Sequence, residues 1–140
     1  MCLPPRLLQR LPLPNILVVD DNVSIRFLIR SLLEGGGYAV CGEAEDGVDA
    51  IEKAKQLNPD LICLDLSMPR MNGAEAASVL KRLMPSVPII LFTLHVDRIG
   101  QSLARAVGVD KVLEKPDGMT RLLESIRELL SPGAKSTARA

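Results

Sequence analysis

The sequence predicts an α/β protein: a mostly parallel sheet with helices packed on both faces. Three observations predict it. Short apolar runs alternate with helix-like stretches, strand then helix, five times over. The runs are nearly continuous rather than alternating, as strands buried on both faces are. Four of them finish on a polar group: Asp20-Asp21 after Ile16-Leu17-Val18-Val19, Asp65 after Leu61-Ile62-Cys63-Leu64, Thr93 after the run from Val87 to Phe92, and Lys115 after the run from Lys111 to Glu114.

The first strand is expected over about Asn15 to Asp20. The helix after it starts near Asn22, buries Val23, Phe27, Leu28 and Leu32, and stops at Gly35-Gly36-Gly37. The second strand runs from about Tyr38 to Glu43, and a helix after Asp46 carries Val48, Ile51 and Ala54. Asn58-Pro59 is a stop signal, so the third strand follows it over Asp60 to Leu64. A loop from Ser67 to Gly73 leads to a helix with Ala76, Val79, Leu80 and Leu83. Pro85 and Pro88 bracket the fourth strand. The fourth helix should bury Ile99, Leu103, Ala106 and Val107 and end at Gly108. The last helix has the cleanest period: Met119, Leu122, Leu123, Ile126, Leu129, Leu130.

A chain of 140 residues points to one domain with a single core. Aromatic residues make up only 2% of it, so that core is aliphatic. The domain spans 15–130, between a flexible leader over 1–14, broken by four prolines, and a flexible tail over 131–140. Seventeen basic residues balance seventeen acidic ones, and no basic block stands out, which gives no reason to expect nucleic acid as a partner. No apolar stretch approaches the roughly 18 residues that cross a membrane. Cys2, Cys41 and Cys63 lack metal spacing, and the latter two lie in strand-like runs and read as buried reduced thiols, consistent with a cytoplasmic location.

In open parallel sheets, ligands bind beyond the carboxyl ends of the strands. Asp20, Asp21, Asp65, Thr93 and Lys115 all fall there. Each has an ordinary reading when taken singly: Asp20 or Asp21 as a helix cap, Asp65 as a solvated strand end, Thr93 as a β-branched strand residue. One cap does not explain two acids, however, and the five together need a common cause. Three converging carboxylates repel one another, and a divalent cation removes the conflict; an all-oxygen set suits Mg²⁺. A carboxylate is also a nucleophile toward phosphorus, and phosphoryl transfer then needs positioning and charge neutralisation, for which a lysine, a hydroxyl and a metal suffice. The glycines at 35–37 are not placed after the first strand, as a dinucleotide-binding loop requires.

Four pieces carry a family resemblance: Val18-Val19-Asp20-Asp21-Asn22, the string Leu64-Asp65-Leu66-Ser67-Met68-Pro69-Arg70-Met71-Asn72-Gly73, Phe92-Thr93, and Glu114-Lys115-Pro116. With them the chain resembles the receiver domain of two-component response regulators over about Asn15 to Leu130. The resemblance implies a flavodoxin-like three-layer fold with five parallel strands in the order 2-1-3-4-5. It implies Asp65 as phosphoacceptor, Asp20 and Asp21 as metal ligands with Asp65 and the backbone carbonyl of Ser67, Mg²⁺ as cofactor, Thr93 as switch hydroxyl and Lys115 as the phosphoryl-binding lysine. The Lys115-Pro116 bond is often cis in the family.

The partners it implies are a sensor histidine kinase or histidine phosphotransfer protein, and a downstream protein target reading the face of helix four, strand five and helix five. A homodimer is compatible with it. The domain would assist its own phosphorylation and dephosphorylation without being a turnover enzyme. Three positions depart from the family pattern: Leu94 where a small residue is usual, Val112 in place of an aromatic switch residue, and Asp117 in place of an apolar one. Ser67 and His95 flank the site and would tune the phosphoryl lifetime. Two competing functions are a receiver-like module that binds without phosphorylation, and an Asp-nucleophile phosphohydrolase. The latter carries a second Asp two residues after its nucleophile, where this chain has Ser67.

Overall fold

The computed structural model of the chain describes residues 13–94, 102, 105–115 and 117–131. Strands and helices alternate through them: β1 Asn15–Val19, α1 Val23–Gly35, β2 Ala39–Ala44, α2 Gly47–Leu57, β3 Leu61–Asp65, α3 Gly73–Leu83 and β4 Ile89–Thr93. Residues 102 and 105–107 are helical (α4) and precede β5, Lys111–Glu114. A 3-10 turn over Asp117–Arg121 leads into α5, Leu122–Leu130. The sheet has five strands, all parallel, in the order β2-β1-β3-β4-β5. That is the predicted topology.

Helix starts are set by side chains that accept the otherwise unpaired first amides. Asn22 accepts from the Ile25 amide and Asp46 from the Asp49 amide. Asn72 and Glu75 form a reciprocal capping box at the start of α3. So Asn22, and neither aspartate before it, caps α1. Gly108 ends α4 with φ +82°, a conformation that suits glycine.

Strand residues alternate between two cores. Leu17, Val19, Ile62, Leu64, Ile89 and Leu91 pack with Ala50, Ala54, Ala76, Ala77 and Leu80 of α2 and α3 on one face. Ile16, Val18, Leu61, Cys63, Ile90, Phe92 and Leu113 pack with Ile29, Leu33, Met119, Leu122 and Ile126 on the other. Burial in that second core pushes the Cys63 thiol up to about 12, so it stays protonated and inert. Cys41 is half-buried. Met119 belongs to the 3-10 turn rather than to the last helix, but its side chain is buried as the period predicts.

The predicted inner face of α1 is wrong. Val23 and Phe27 are 68% and 70% exposed, Leu28 is exposed too, and Ile29 and Leu33 are the buried pair. Ile25, Ile29, Leu32 and Leu33 share one helical stripe, whereas Val23 and Phe27 stand on the opposite side with Arg30, Ser31 and Glu34, so the predicted face mixed two stripes and the sheet covers the more apolar one. Val48, Leu83 and Ala106 are likewise exposed, and Leu32, Ile51, Val79 and Val107 only partly buried. Ile99, Leu103, Cys2, the leader before residue 13 and the tail beyond residue 131 lie outside the described residues. Leu33→Ala is expected to cost about 3 kcal/mol and Phe27→Ser less than about 0.5 kcal/mol. Urea midpoints of the two variants check the assignment; the reverse order would restore the predicted face.

Candidate functional site

In a parallel sheet every strand ends at the same edge, and strand register decides which residues meet there. Val19 lies beside Leu64, Asp65 beside Phe92, and Thr93 beside Glu114. The Leu66 amide donates to the Phe92 carbonyl at 2.8 Å and the Lys115 amide to the Thr93 carbonyl at 2.7 Å, so pairing continues one residue past the strands. Asp20, Asp65, Thr93 and Lys115 therefore gather at one edge. Lys115 Nζ donates to Asp20 Oδ2 at 2.6 Å and to Asp65 Oδ1 at 2.9 Å.

Asp20 is 1% exposed and Asp65 5%, whereas Asp21 and Ser67 face solvent. Loss of solvent raises the Asp65 carboxyl to about 6; Lys115 opposes the rise, and Asp20 and Asp21 add to it. Burial alone would depress Lys115, but its hydrogen bonds to Asp20 and Asp65 outweigh it and hold the ammonium above its ordinary value. One carboxylate oxygen from each of Asp20, Asp21 and Asp65 falls within 4.8 Å of the others. This all-oxygen group fits a divalent cation of the Mg²⁺ type, with room for the waters such an ion keeps, because Asp21 and Ser67 line one cleft of about 700 Å³.

Sequence reasoning missed the groups that hold these loops. Arg26 Nη1 donates to the Asp20 backbone carbonyl at 2.6 Å, and its Nε donates to Glu43 Oε1 at 3.0 Å. Arg30 Nη1 donates to Glu43 Oε2 at 2.7 Å. The available signal was an arginine one turn into α1 with an acid near the end of β2. On the other side, Arg70 forms an ion pair with Asp46. The Asp49 amide, first, and Arg70, second, hold the Asp46 carboxyl below the usual carboxylate range. The N-terminus of α3 abuts the phosphoacceptor candidate: the Gly73 amide donates to the Leu66 carbonyl at 2.8 Å.

Of the departing positions, Leu94 is 64% exposed and Val112 partly buried against the core shared with α2 and α3. Asp117 opens the 3-10 turn. His95 and Pro116, and with it the isomer of the Lys115-Pro116 bond, lie outside the described residues.

Comparison with known proteins gives a consistent picture. The sequence profile of the response regulator receiver domain matches residues 16–127. A chemotaxis protein CheY of Thermotoga maritima is 31% identical over 115 residues, covering 82% of this chain and 96% of that protein. A protein-glutamate methylesterase/protein-glutamine glutaminase of a Nocardioides species is 36% identical over 87% of the chain, which spans only 35% of it. A CheY-like receiver domain from Methanospirillum hungatei superposes with a TM-score of 0.81 at 28% identity, covering 89% of this chain and 98% of that one.

Proposed function

The chain belongs to the response regulator receiver domain family, and on that premise we propose that Asp65 accepts a phosphoryl group from a histidine kinase or histidine phosphotransfer partner in a Mg²⁺-dependent step. The observation that carries the proposal is the bridge of Lys115 to both Asp20 and Asp65 beside a third carboxylate. It supports the reading because a carboxylate, an ammonium and two further carboxylates share one group of side chains, as a nucleophile, a charge partner and metal ligands would need.

In the transfer, an Asp65 carboxylate oxygen forms the new O–P bond as the donor's P–N bond breaks, and the donor imidazole leaves with a proton. With acetyl phosphate as donor a P–O bond breaks and acetate leaves. Asp20, Asp21, Asp65 and the Ser67 carbonyl would hold Mg²⁺, which supplies charge neutralisation at the phosphoryl oxygens. Lys115 is freed from Asp65 when that carboxylate becomes an acyl phosphate, and its ammonium then pairs with a phosphoryl oxygen. The Thr93 hydroxyl donates to another.

The added charge biases a two-state equilibrium that a protein target reads on the α4-β5-α5 face. Val112 removes the ring rotation that an aromatic residue would contribute there, so Thr93 is left as the moving part. The reading puts the domain in the cytoplasm, where kinase and target meet; among the described residues no helix is long and apolar enough to cross a membrane. Intact-protein mass after incubation with acetyl phosphate and Mg²⁺ is the test. Wild type is expected to gain one phosphoryl group, and Asp65→Asn or chelated wild type none. A folded wild type that gains nothing would instead favour a module that binds without phosphorylation.

A further inference from the structure

The loop between β3 and α3 carries Ser67 and is closed at its base by the Gly73 amide on the Leu66 carbonyl. Between those ends it is tied to α2 at two points. The Gly47 amide donates to the Met71 carbonyl at 3.1 Å, and the two residues touch so closely that a Cβ on Gly47 would lie 2.7 Å from Met71 Cγ and from its carbonyl oxygen. Beside this contact, Arg70 Nε donates to Asp46 Oδ2 at 2.8 Å, and Nη2 donates to the same oxygen. The Asp46 side chain is 3% exposed and its other oxygen caps α2 through the Asp49 amide, so the carboxylate cannot turn away.

Arg70 adopts φ +63°, the left-handed region that favours glycine. A non-glycine residue held there needs support: the Met71 amide donates to the Pro69 carbonyl across it at 2.7 Å, and the guanidinium on the buried Asp46 carboxylate is a second tie. The tie sits three residues from Ser67, behind the cleft that Ser67 shares with Asp21; Pro69 and Asn72, on either side of Arg70-Met71, line that cleft.

We infer that the Arg70–Asp46 pair is a latch that fixes the β3–α3 loop, making Arg70 a positioning residue for the Ser67 carbonyl at the metal niche. The inference rests on the metal reading proposed above. Groups that orient metal ligands without touching the ion commonly change affinity by about tenfold or more. Through-space charge predicts a different pattern. Removing the Arg70 cation near an acidic cluster would tighten a cation, and removing the Asp46 anion would weaken it. The latch predicts weaker binding from both.

The experiment titrates MgCl₂ into wild type, Arg70→Gly, Arg70→Lys and Asp46→Asn, followed by amide chemical shifts, with amide hydrogen exchange at residues 66–68 measured in the absence of metal. Glycine accepts the left-handed backbone and asparagine retains the cap, so both variants keep the fold. Expected are an about tenfold weaker Mg²⁺ constant and faster exchange in Arg70→Gly and Asp46→Asn, with Arg70→Lys between them and wild type. Tighter or unchanged binding in Arg70→Gly, beside a wild type that binds, overturns the latch and leaves the metal reading standing. A folded wild type that binds no Mg²⁺ overturns the metal reading, and the role of the latch with it. Unchanged exchange in Arg70→Gly would show that the loop needs no tie.

Discussion

Gly73→Ala is expected to lower the thermal midpoint by on the order of 10 °C and to suppress phosphoryl uptake even where the variant is still folded. A Cβ at this position would lie 2.2 Å from the Asp65 carbonyl oxygen, 2.8 Å from Leu66 Cα and 2.9 Å from the Asp65 carbonyl carbon. All three are backbone atoms, so no rotamer change relieves the clash. Either α3 retreats or the end of β3 moves, and Asp65 moves with it. Overpacking of this kind costs about 3 kcal/mol. Gly35→Ala is the control, because a Cβ there meets nothing within 4 Å. Differential scanning calorimetry of both variants decides the matter: a Gly73→Ala midpoint within the Gly35→Ala range would mean that the helix does not press on the strand.

Lys115→Gln is expected to cost about 3 kcal/mol at pH 8 and far less at pH 5. Lys115 is the cation between Asp20 and Asp65, and its side chain is 11% exposed. Removing it leaves two buried carboxylates facing each other with no ammonium between them. The sign of the pH dependence follows from Asp65. Its carboxyl titrates near 6 in the fold, above the ordinary carboxylate range, so the folded chain binds that proton more tightly than the unfolded one. Stability from this group is complete below the ordinary value and is lost as pH rises through about 6. Without the ammonium that opposes the rise, the same loss becomes larger and continues to higher pH. Urea denaturation at pH 5 and pH 8 measures it. An equal loss at both would mean that Lys115 acts through packing alone. Added Mg²⁺ should restore part of the loss at pH 8, since a cation that binds only the folded state stabilises it by mass action.

Much of this protein can be read along the chain because its fold is a repetition. Strand-helix alternation with continuous apolar strands leaves few architectures, and a parallel sheet brings all strand ends to one edge. Asp20, Asp65, Thr93 and Lys115 could therefore be grouped before any distance was known. Asn22, Asp46 and Asn72 announce helix starts by chemistry that acts within three residues, and Gly35-Gly36-Gly37 announces an end. These are local signals, and local signals survive in a linear text.

What escaped the sequence depends on contacts between distant segments. The inner face of α1 is an exception: Ile29 and Leu33 stand with Ile25 and Leu32 on one apolar stripe, and the predicted face erred by taking Val23 and Phe27 from the polar side. The pairing of Arg26 with Glu43 left a faint signal, but nothing marked that Arg26 also holds the Asp20 carbonyl or that Arg70 reaches Asp46, because long side chains can lie in many directions until packing removes the choice. The sequence by itself determined the parallel strand-helix architecture, the edge where the chemistry gathers and the identity of the groups there, since these follow from periodicity and chain direction; the strand order was implied by the family resemblance of the motifs at that edge. The tertiary structure alone decided that Arg26 holds the Asp20 carbonyl, that Lys115 bridges two carboxylates rather than one, and that Gly73 has no space for a side chain. Those outcomes turn on separations of an ångström or less, which arise only when the layers close on one another.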